Sequence, residues 1–208
     1  MPEGNFIVFS GGEGSGKTTA LDRLKEEYPH LITTREPGGT EFGQRLRHML
    51  VNEPERDAAT ELLLFFTDRA HHVQTVIRPA LAAHETIISD RYWMDSFAYQ
   101  WWGRMGIRDQ NTYPNFGNLF WPFHFPTPRA WLWFDVQPEI GLARKAVATD
   151  RNRLDDLPVD FHQQVRAGFE YLFEHCLNEE TSHRIDANQS PDNVYASVKA
   201  ALKPYLRA

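Results

Sequence analysis

The stretch FSGGEGSGKTTA, Phe9 to Ala20, decides the fold. Its core, Gly11 to Thr18, matches G-x-x-x-x-G-K-[ST], and it follows an apolar run, Phe6 to Phe9, that reads as a strand. The residues after it read as a helix from Lys17 to Tyr28. In that context the backbone N–H groups of Gly11, Gly12, Glu13, Gly14, Ser15 and Gly16 and the helix N-terminus form an anion cradle. Lys17 is expected to reach the β- and γ-phosphates of a nucleoside triphosphate, with Thr18 as a ligand for Mg²⁺ and Thr19 beside it. A glycine turn that merely joined strand to helix would leave the Lys17-Thr18 pair unexplained.

Outward from this loop, short β-rich runs alternate with longer helical stretches. Strands are expected at Phe6 to Phe9, Leu31 to Thr34, Thr86 to Ser89, Ala130 to Asp135 and His183 to Asp186. Helices are expected at Lys17 to Tyr28, Glu41 to Val51, Ala58 to Ala83, Pro138 to Ala148, Asp160 to Cys176 and Pro191 to Leu206. The alternation predicts an α/β protein of the P-loop NTPase fold, a five-stranded parallel sheet with helices on both faces. The stretch Trp101 to Arg129 concentrates Trp, Phe, Pro and Asn without a clear period, and predicts mixed helix and loop with its aromatics in the core.

The 208 residues suit one domain, and 41% hydrophobic with 24% charged residues suits a soluble protein. A formal charge of -6 argues against a nucleic-acid polymer as partner, since duplex binding needs a large cationic surface. No apolar run approaches the ~20 residues of a membrane span. The single cysteine, Cys176, excludes an internal disulfide and a thiolate zinc cluster. Met1 to Ser10 lacks a basic segment followed by a long apolar one, so a cytoplasmic location is expected.

Asp90 ends an apolar run, where a carboxylate at the edge of a parallel strand can hold Mg²⁺ through water. Taken alone, such an Asp is as readily a turn former. Arg35, Arg47, Arg69 and Arg91 stand near expected strand or helix ends, and guanidinium forks suit the phosphate of an acceptor.

Several motifs together, GGEGSGKTT, TREPGGT, Phe65-x-x-x-Arg69, DRY followed by AYQ, and DRNRLD followed by FHQQVRAGF, resemble the thymidylate kinases of bacteria over nearly the whole chain. The resemblance implies transfer of the γ-phosphoryl group of ATP to dTMP, with Mg²⁺ as cofactor and usually a homodimer. It implies an acceptor site of Glu13 at the sugar 3'-hydroxyl, Arg35, Pro37 and Arg47, Phe65 stacked on the pyrimidine, and Arg69 at the base or the phosphate. Arg91 would bridge the phosphates, Tyr99 would lie near the deoxyribose, and Asp95, Ser96 and Gln100 would complete the pocket. Arg144 of Gly141 to Arg144 would stack on adenine.

Members of that family carry either a basic residue inside the P-loop or a small one there with an arginine supplied by a mobile lid. Gly14 implies the second design, with a lid at about 149–157 and Arg151 or, preferably, Arg153 as the arginine. Ion pairs of these arginines with Asp150, Asp155 and Asp156 are the ordinary alternative.

The chain departs from the family at Ser10, where Glu is usual, and at Asp95, where Ser is common. A carboxylate at 95 beside a pyrimidine would favour a base bearing a donor, so a kinase for a 5-modified dUMP or for dCMP is the nearest rival. A non-catalytic nucleotide-binding regulator lacks support, because the guanine-reading N-K-x-D signature is absent. An ATP-driven nucleic-acid enzyme is disfavoured by the acidic balance and short length.

Overall fold

In a computed structural model, which describes residues 4–109, 111–149 and 152–206, five strands form one parallel sheet. They are β1 (Asn5–Gly11), β2 (Ile32–Arg35), β3 (Thr86–Asp90), β4 (Ala130–Asp135) and β5 (Ser182–Asp186), in the order β2-β3-β1-β4-β5. The chain builds the β2-β3 side of β1 first and then crosses to the β4-β5 side. Such a switch point leaves a crevice beyond the carboxyl ends of the strands. Gly11 ends β1 there, and Asp90, which pairs with Phe9, ends β3.

Alternation along each strand divides the core in two. Ile7, Phe9, Ile88, Leu132 and Phe134 pack with Leu21 and Leu24 of α1 (Lys17–Glu27) and with Val194, Val198 and Leu202 of α9 (Pro191–Leu202). Phe6, Val8, Ile87, Trp131 and Trp133 face the opposite side. There they meet Leu62 and Phe66 of α3 (Ala58–His72), Trp93 and Met94 of α5 (Trp93–Ser96), Phe116 of α6 (Thr112–Phe120), and Val165, Phe169 and Leu172 of α8 (Val159–His175). Helices α2 (Glu41–Asn52), α4 (Arg78–Ala82) and α7 (Pro138–Ala146) complete the flanking layers. No helix among the described residues is long and apolar enough to cross a membrane.

The helix expected over Ala58 to Ala83 is continuous in space but changes winding. Between α3 and α4 it widens into a π-helical segment, Val73–Ile77. Pro79 explains this: it lacks the N–H owed to the Thr75 carbonyl and its ring presses on that carbonyl, and a wider turn relieves both. A second π segment, Phe97–Arg104, continues α5. That helix, over 93–104, did not emerge from the sequence, where aromatic residues crowd the segment and most of it winds as a π-helix, off the regular helical period. Its rings pack on α8 and α6, with Phe97 stacked on Tyr171 at 6.0 Å and Trp101 edge-on to Phe116 at 5.6 Å.

Glycine sets one contact on which the nucleotide loop depends. A Cβ on Gly141 in α7 would collide with the Glu13 carbonyl, and a Cβ on Gly14 would collide with the Gly141 carbonyl. Gly14 also sits at φ 64°, where side chains are disfavoured. The loop and α7 therefore meet backbone to backbone, which is a physical reason for the absence of a basic residue at 14. Gly141→Ala is expected to cost about 1–3 kcal/mol in urea unfolding, the usual cost of overpacking, and to weaken ATP binding. Wild-type stability and affinity in that variant would contradict the close contact.

Candidate functional site

At the end of β1 the loop from Gly11 to Gly16 turns into α1, and three glycines with positive φ, Gly11, Gly14 and Gly16, let it do so. Lys17 is buried, and its Nζ donates to the carbonyls of Gly11 at 2.9 Å and Gly12 at 3.0 Å and to Ser15 Oγ at 3.0 Å. The ammonium thus lies folded against its own loop. Burial, reinforced by the Arg91 charge, pushes it down to about 8 despite nearby Asp90, Glu13 and Asp95.

Gly12 to Thr19 line a cleft of about 410 Å³ whose far side is made by Arg23, Arg144, Lys145, Gln189 and Pro191. Gly11 itself does not line the cleft but supplies its carbonyl to Lys17 and Arg91. Arg144 Nη1 donates to the carbonyls of Gly14 at 3.2 Å and Ala187 at 2.8 Å, which fixes it across the mouth of the loop.

Asp90 reaches this cleft from the end of β3. Its Oδ1 is buried with no hydrogen-bond partner, an expensive state for a carboxylate oxygen unless a cation or its water shell completes it. Thr18 opens α1 in the same cleft. No cluster of three or more His, Cys, Asp or Glu fit to hold a metal occurs among the described residues. Thr18 and Asp90 therefore fit a Mg²⁺ held mainly by nucleotide phosphates and water, the usual habit of that ion.

Arg91 follows Asp90 at φ 75°, a strained conformation for a residue with a side chain. Its N–H donates to the Phe9 carbonyl at 2.8 Å and its carbonyl accepts from Ser89 Oγ at 2.8 Å, so the backbone is held on both sides. The turn aims the guanidinium under the P-loop. Nη1 donates to the Gly11 carbonyl at 3.2 Å and Asp95 Oδ1 at 2.7 Å, and Nη2 to Glu13 Oε1 at 2.9 Å. Tyr99 OH donates to the same Glu13 oxygen at 2.9 Å. Burial drives the Glu13 carboxyl upward, but Arg91, Lys17 and Tyr99 together hold it below its ordinary range.

A second cavity, of about 70 Å³, lies beyond Glu13 and Arg91 and is lined by Pro37, Arg47, Phe65, Arg69, Asp95, Ser96, Tyr99 and Gln100. These are the residues expected at the acceptor, and they come together. Phe65 is half-buried at the cavity while Phe66 sits in the core, which separates two rings that periodicity alone could not. Arg69 is fully buried, its Nε on Glu36 Oε2 at 2.7 Å and Nη2 on Ser96 Oγ at 3.0 Å, while Nη1 has no partner. Arg47 lines both cavities, and Arg35 lines the nucleotide cleft. Burial and the charges of Arg35 and Arg91 hold the Arg47 guanidinium below its ordinary range, as expected of cations gathered to meet an anion.

Two expectations are corrected. Asp95 does not offer its carboxylate to a base: Oδ1 is taken by Arg91, and Oδ2 accepts from Ser10 Oγ at 2.6 Å and the Tyr92 N–H at 3.2 Å. The two positions that depart from the family pattern are thus hydrogen-bonded to each other. Arg153 does not line the nucleotide cleft: its Nε donates to the Leu50 carbonyl at 2.9 Å and its Nη2 pairs with Glu61. Both of these partners lie on other helices, Leu50 on α2 and Glu61 on α3. Asn152, by contrast, lines both cavities and Leu154 the acceptor cavity. Arg151 and Asp150 lie outside the described residues.

Sequence reasoning also missed Glu36, Glu61, Asp68 and His72. Glu36 joins Arg69 to His72, and Thr34 Oγ1 lies 2.6 Å from His72 Nε2. Burial, with Glu36 nearby, pushes the Asp68 carboxyl up to about 6, and Gly38 N–H contacts it at 3.3 Å. Glu61 accepts from Gln100 at 2.9 Å as well as from Arg153. A hydrophobic helix face gives no sign that it carries buried polar groups with partners on other segments.

The Lys17 environment predicts a pH effect. Phosphate binding stabilises the ammonium, so ATP affinity should be level below about pH 8 and fall above it by up to about tenfold per unit as the free lysine loses its proton. Lys17→Arg, charged throughout, should flatten the profile in calorimetric titrations. A wild-type profile level to pH 10 would contradict it.

A family model described as thymidylate kinase matches residues 9–198. A thymidylate kinase of Oleidesulfovibrio alaskensis is 42% identical, over 95% of this chain and 96% of its own. One from Synechococcus sp. strain JA-3-3Ab is 38% identical, over 98% and 97%. The crystal structure of thymidylate kinase from Ehrlichia chaffeensis superposes with a TM-score of 0.72 at 28% identity, covering 97% of this chain and all of that one.

Proposed function

The chain belongs to the thymidylate kinase family, whose reaction is ATP-dependent phosphorylation of dTMP to dTDP, and on that premise we propose how its residues divide the work. The observation that carries the proposal is the pair of adjoining cavities with Arg91 and Glu13 lining both. A group transferred between two anions must cross such a boundary, and cations fixed there neutralise charge that would otherwise repel the acceptor.

ATP occupies the larger cleft. Its β- and γ-phosphates take the place of the Gly11 and Gly12 carbonyls and Ser15 on Lys17, and Arg144 stacks against adenine. Thr18 and Asp90 would hold Mg²⁺, which supplies charge neutralisation on the phosphates when bound. dTMP occupies the smaller cavity with its pyrimidine on Phe65. The free Nη1 of Arg69 donates to a base oxygen, a role that its burial among Ser96 and Glu36 favours over contact with a phosphate. Glu13 and Tyr99 meet the deoxyribose, and Arg35, Arg47 and Arg91 meet its phosphate. Gln100, tied to Glu61, closes the wall.

Transfer is in-line, without a covalent intermediate, and positioning with charge neutralisation carries the rate. The acceptor cavity is narrower than a nucleotide requires, so the turn bearing Asn152 and Leu154 must yield as dTMP binds. Arg153 anchors that turn to Glu61, and if an arginine enters from the lid, Arg151 is the remaining candidate. The same reading places the enzyme in the cytoplasm as a homodimer. Support for pairing is an exposed stripe on α3, Leu63, Thr67 and His71, with Phe42 of α2 edge-on to His71 at 5.2 Å.

A coupled ADP-release assay with Mg-ATP and dTMP, dUMP, 5-hydroxymethyl-dUMP, dCMP, dGMP and UMP tests the reading. dTMP is expected to lead, because Asp95 is committed to protein donors. Preference for dCMP or a modified dUMP would overturn the acceptor assignment, and no turnover with any of them would overturn the reaction.

A further inference from the structure

We propose that Asp95 is a positioning residue for phosphoryl transfer, setting the Arg91 guanidinium from behind while Ser10 holds the carboxylate in place. The inference rests on the assignment of Arg91 to the acceptor phosphate and goes beyond it by naming what fixes that arginine.

The Asp95 carboxylate is held by the sheet, by its own helix start and by Arg91. Asp95 is 6% exposed and Ser10 is fully buried in β1, one residue before Gly11. Asp95 Oδ2 is fixed by Ser10 Oγ at 2.6 Å from the sheet and by the Tyr92 N–H at 3.2 Å from its own turn. Oδ1 is thereby left facing Arg91 Nη1 at 2.7 Å, and the same Nη1 reaches the Gly11 carbonyl at 3.2 Å. Nη2 points the other way, to Glu13 at the junction of the two cavities. One edge of the fork is thus bound to buried protein and the other is presented to the site.

Glu13 lies where a substrate hydroxyl and phosphate must come, so its hold on Arg91 is exchangeable. Asp95 lies behind the guanidinium and is not displaced by ligand. An arginine on a long side chain loses rotamer freedom when it works, and a rear carboxylate that has already removed that freedom leaves less to be lost at the transition state. The hydrogen bond from Ser10 matters because it ties the carboxylate to the sheet; without it Oδ2 would keep only the longer bond from the Tyr92 N–H. Asp95 lines the acceptor cavity, but both of its oxygens are taken by protein donors, which separates this role from base reading.

The test is steady-state kinetics with dTMP and Mg-ATP on Asp95→Asn, Ser10→Ala, Arg91→Lys and the Asp95→Asn/Arg91→Lys pair. Asp95→Asn is expected to lower kcat by about tenfold to a hundredfold, the scale of a misplaced catalytic group, with KM for dTMP within about threefold and acceptor preference unchanged. Ser10→Ala should move kcat in the same direction by a smaller factor. In the Arg91→Lys background Asp95→Asn should add little, since its effect runs through the guanidinium. Equal effects in both backgrounds, an unchanged kcat, or a shift in acceptor preference would each overturn the proposal. Should Asp95→Asn fail to fold, Ser10→Ala with and without Arg91→Lys supplies the same comparison: a kcat loss confined to the Arg91 background supports the role, and an equal loss in both, or none, overturns it. Arg91→Lys alone keeps the two claims apart: full activity there would remove the Arg91 assignment itself, whereas loss there with a fully active Asp95→Asn would remove only the role of Asp95.

Discussion

A single guanidinium, that of Arg91, joins the parts of this molecule that must act together. It bonds to the Gly11 carbonyl at the root of the P-loop, to Glu13 within the loop, and to Asp95 in α5, the helix that follows β3. The strained left-handed backbone at 91 is what aims it there, and the bonds to Phe9 and Ser89 hold that backbone. The parallel pairing of β1 with β3 brings both segments to the same sheet edge. Without a fixed cation at this point, Glu13, Asp90 and Asp95 would repel the incoming triphosphate and monophosphate where the two must meet, with Lys17, Arg35 and Arg47 left to offset them.

Much of this was legible in the sequence, for reasons that differ by residue. The P-loop was legible because its chemistry needs small residues, a lysine and a hydroxyl at fixed spacing between a strand and a helix, and no packing argument supplies that order. Asp90 was legible only as the end of an apolar run; its buried, unpartnered Oδ1 is what the structure adds in favour of the proposed role at a cation. Phe65 and Arg69 were singled out through family resemblance, and the structure separates Phe65 at the cavity from Phe66 in the core. What stayed hidden were contacts between distant residues of ordinary type. Ser10 and Asp95 are 85 positions apart, and only the fold shows that two separate departures from a family pattern are one buried hydrogen bond. Gly14 and Gly141 likewise look unrelated until α7 is laid on the loop. Arg153 was read as a lid cation because Gly14 and the family resemblance asked for an arginine from that segment, yet it is paired with Glu61 on another helix.

The helices that frame the acceptor side owe their shape to the same economy of space. Two π-helical segments, at Val73–Ile77 and Phe97–Arg104, interrupt what periodicity reads as plain helix or as no helix at all. The second carries Tyr99 and Gln100 to the acceptor wall while its other rings stay in the core. Widened turns of this kind recur near functional sites because they re-aim side chains without breaking the helix. Glu36, Arg69 and His72 form a fully buried polar network behind that wall, so the pocket's floor is held by charge-assisted hydrogen bonds and its walls by aromatic packing.

The central claim is that Arg91 belongs to both nucleotide sites at once. The most direct measurement is calorimetric titration of wild type and Arg91→Ala with Mg-ATP alone and with dTMP alone. The account predicts that each affinity falls separately by about tenfold or more, the loss of a charge-assisted hydrogen bond at either site. A loss confined to one nucleotide, or to neither, would contradict it.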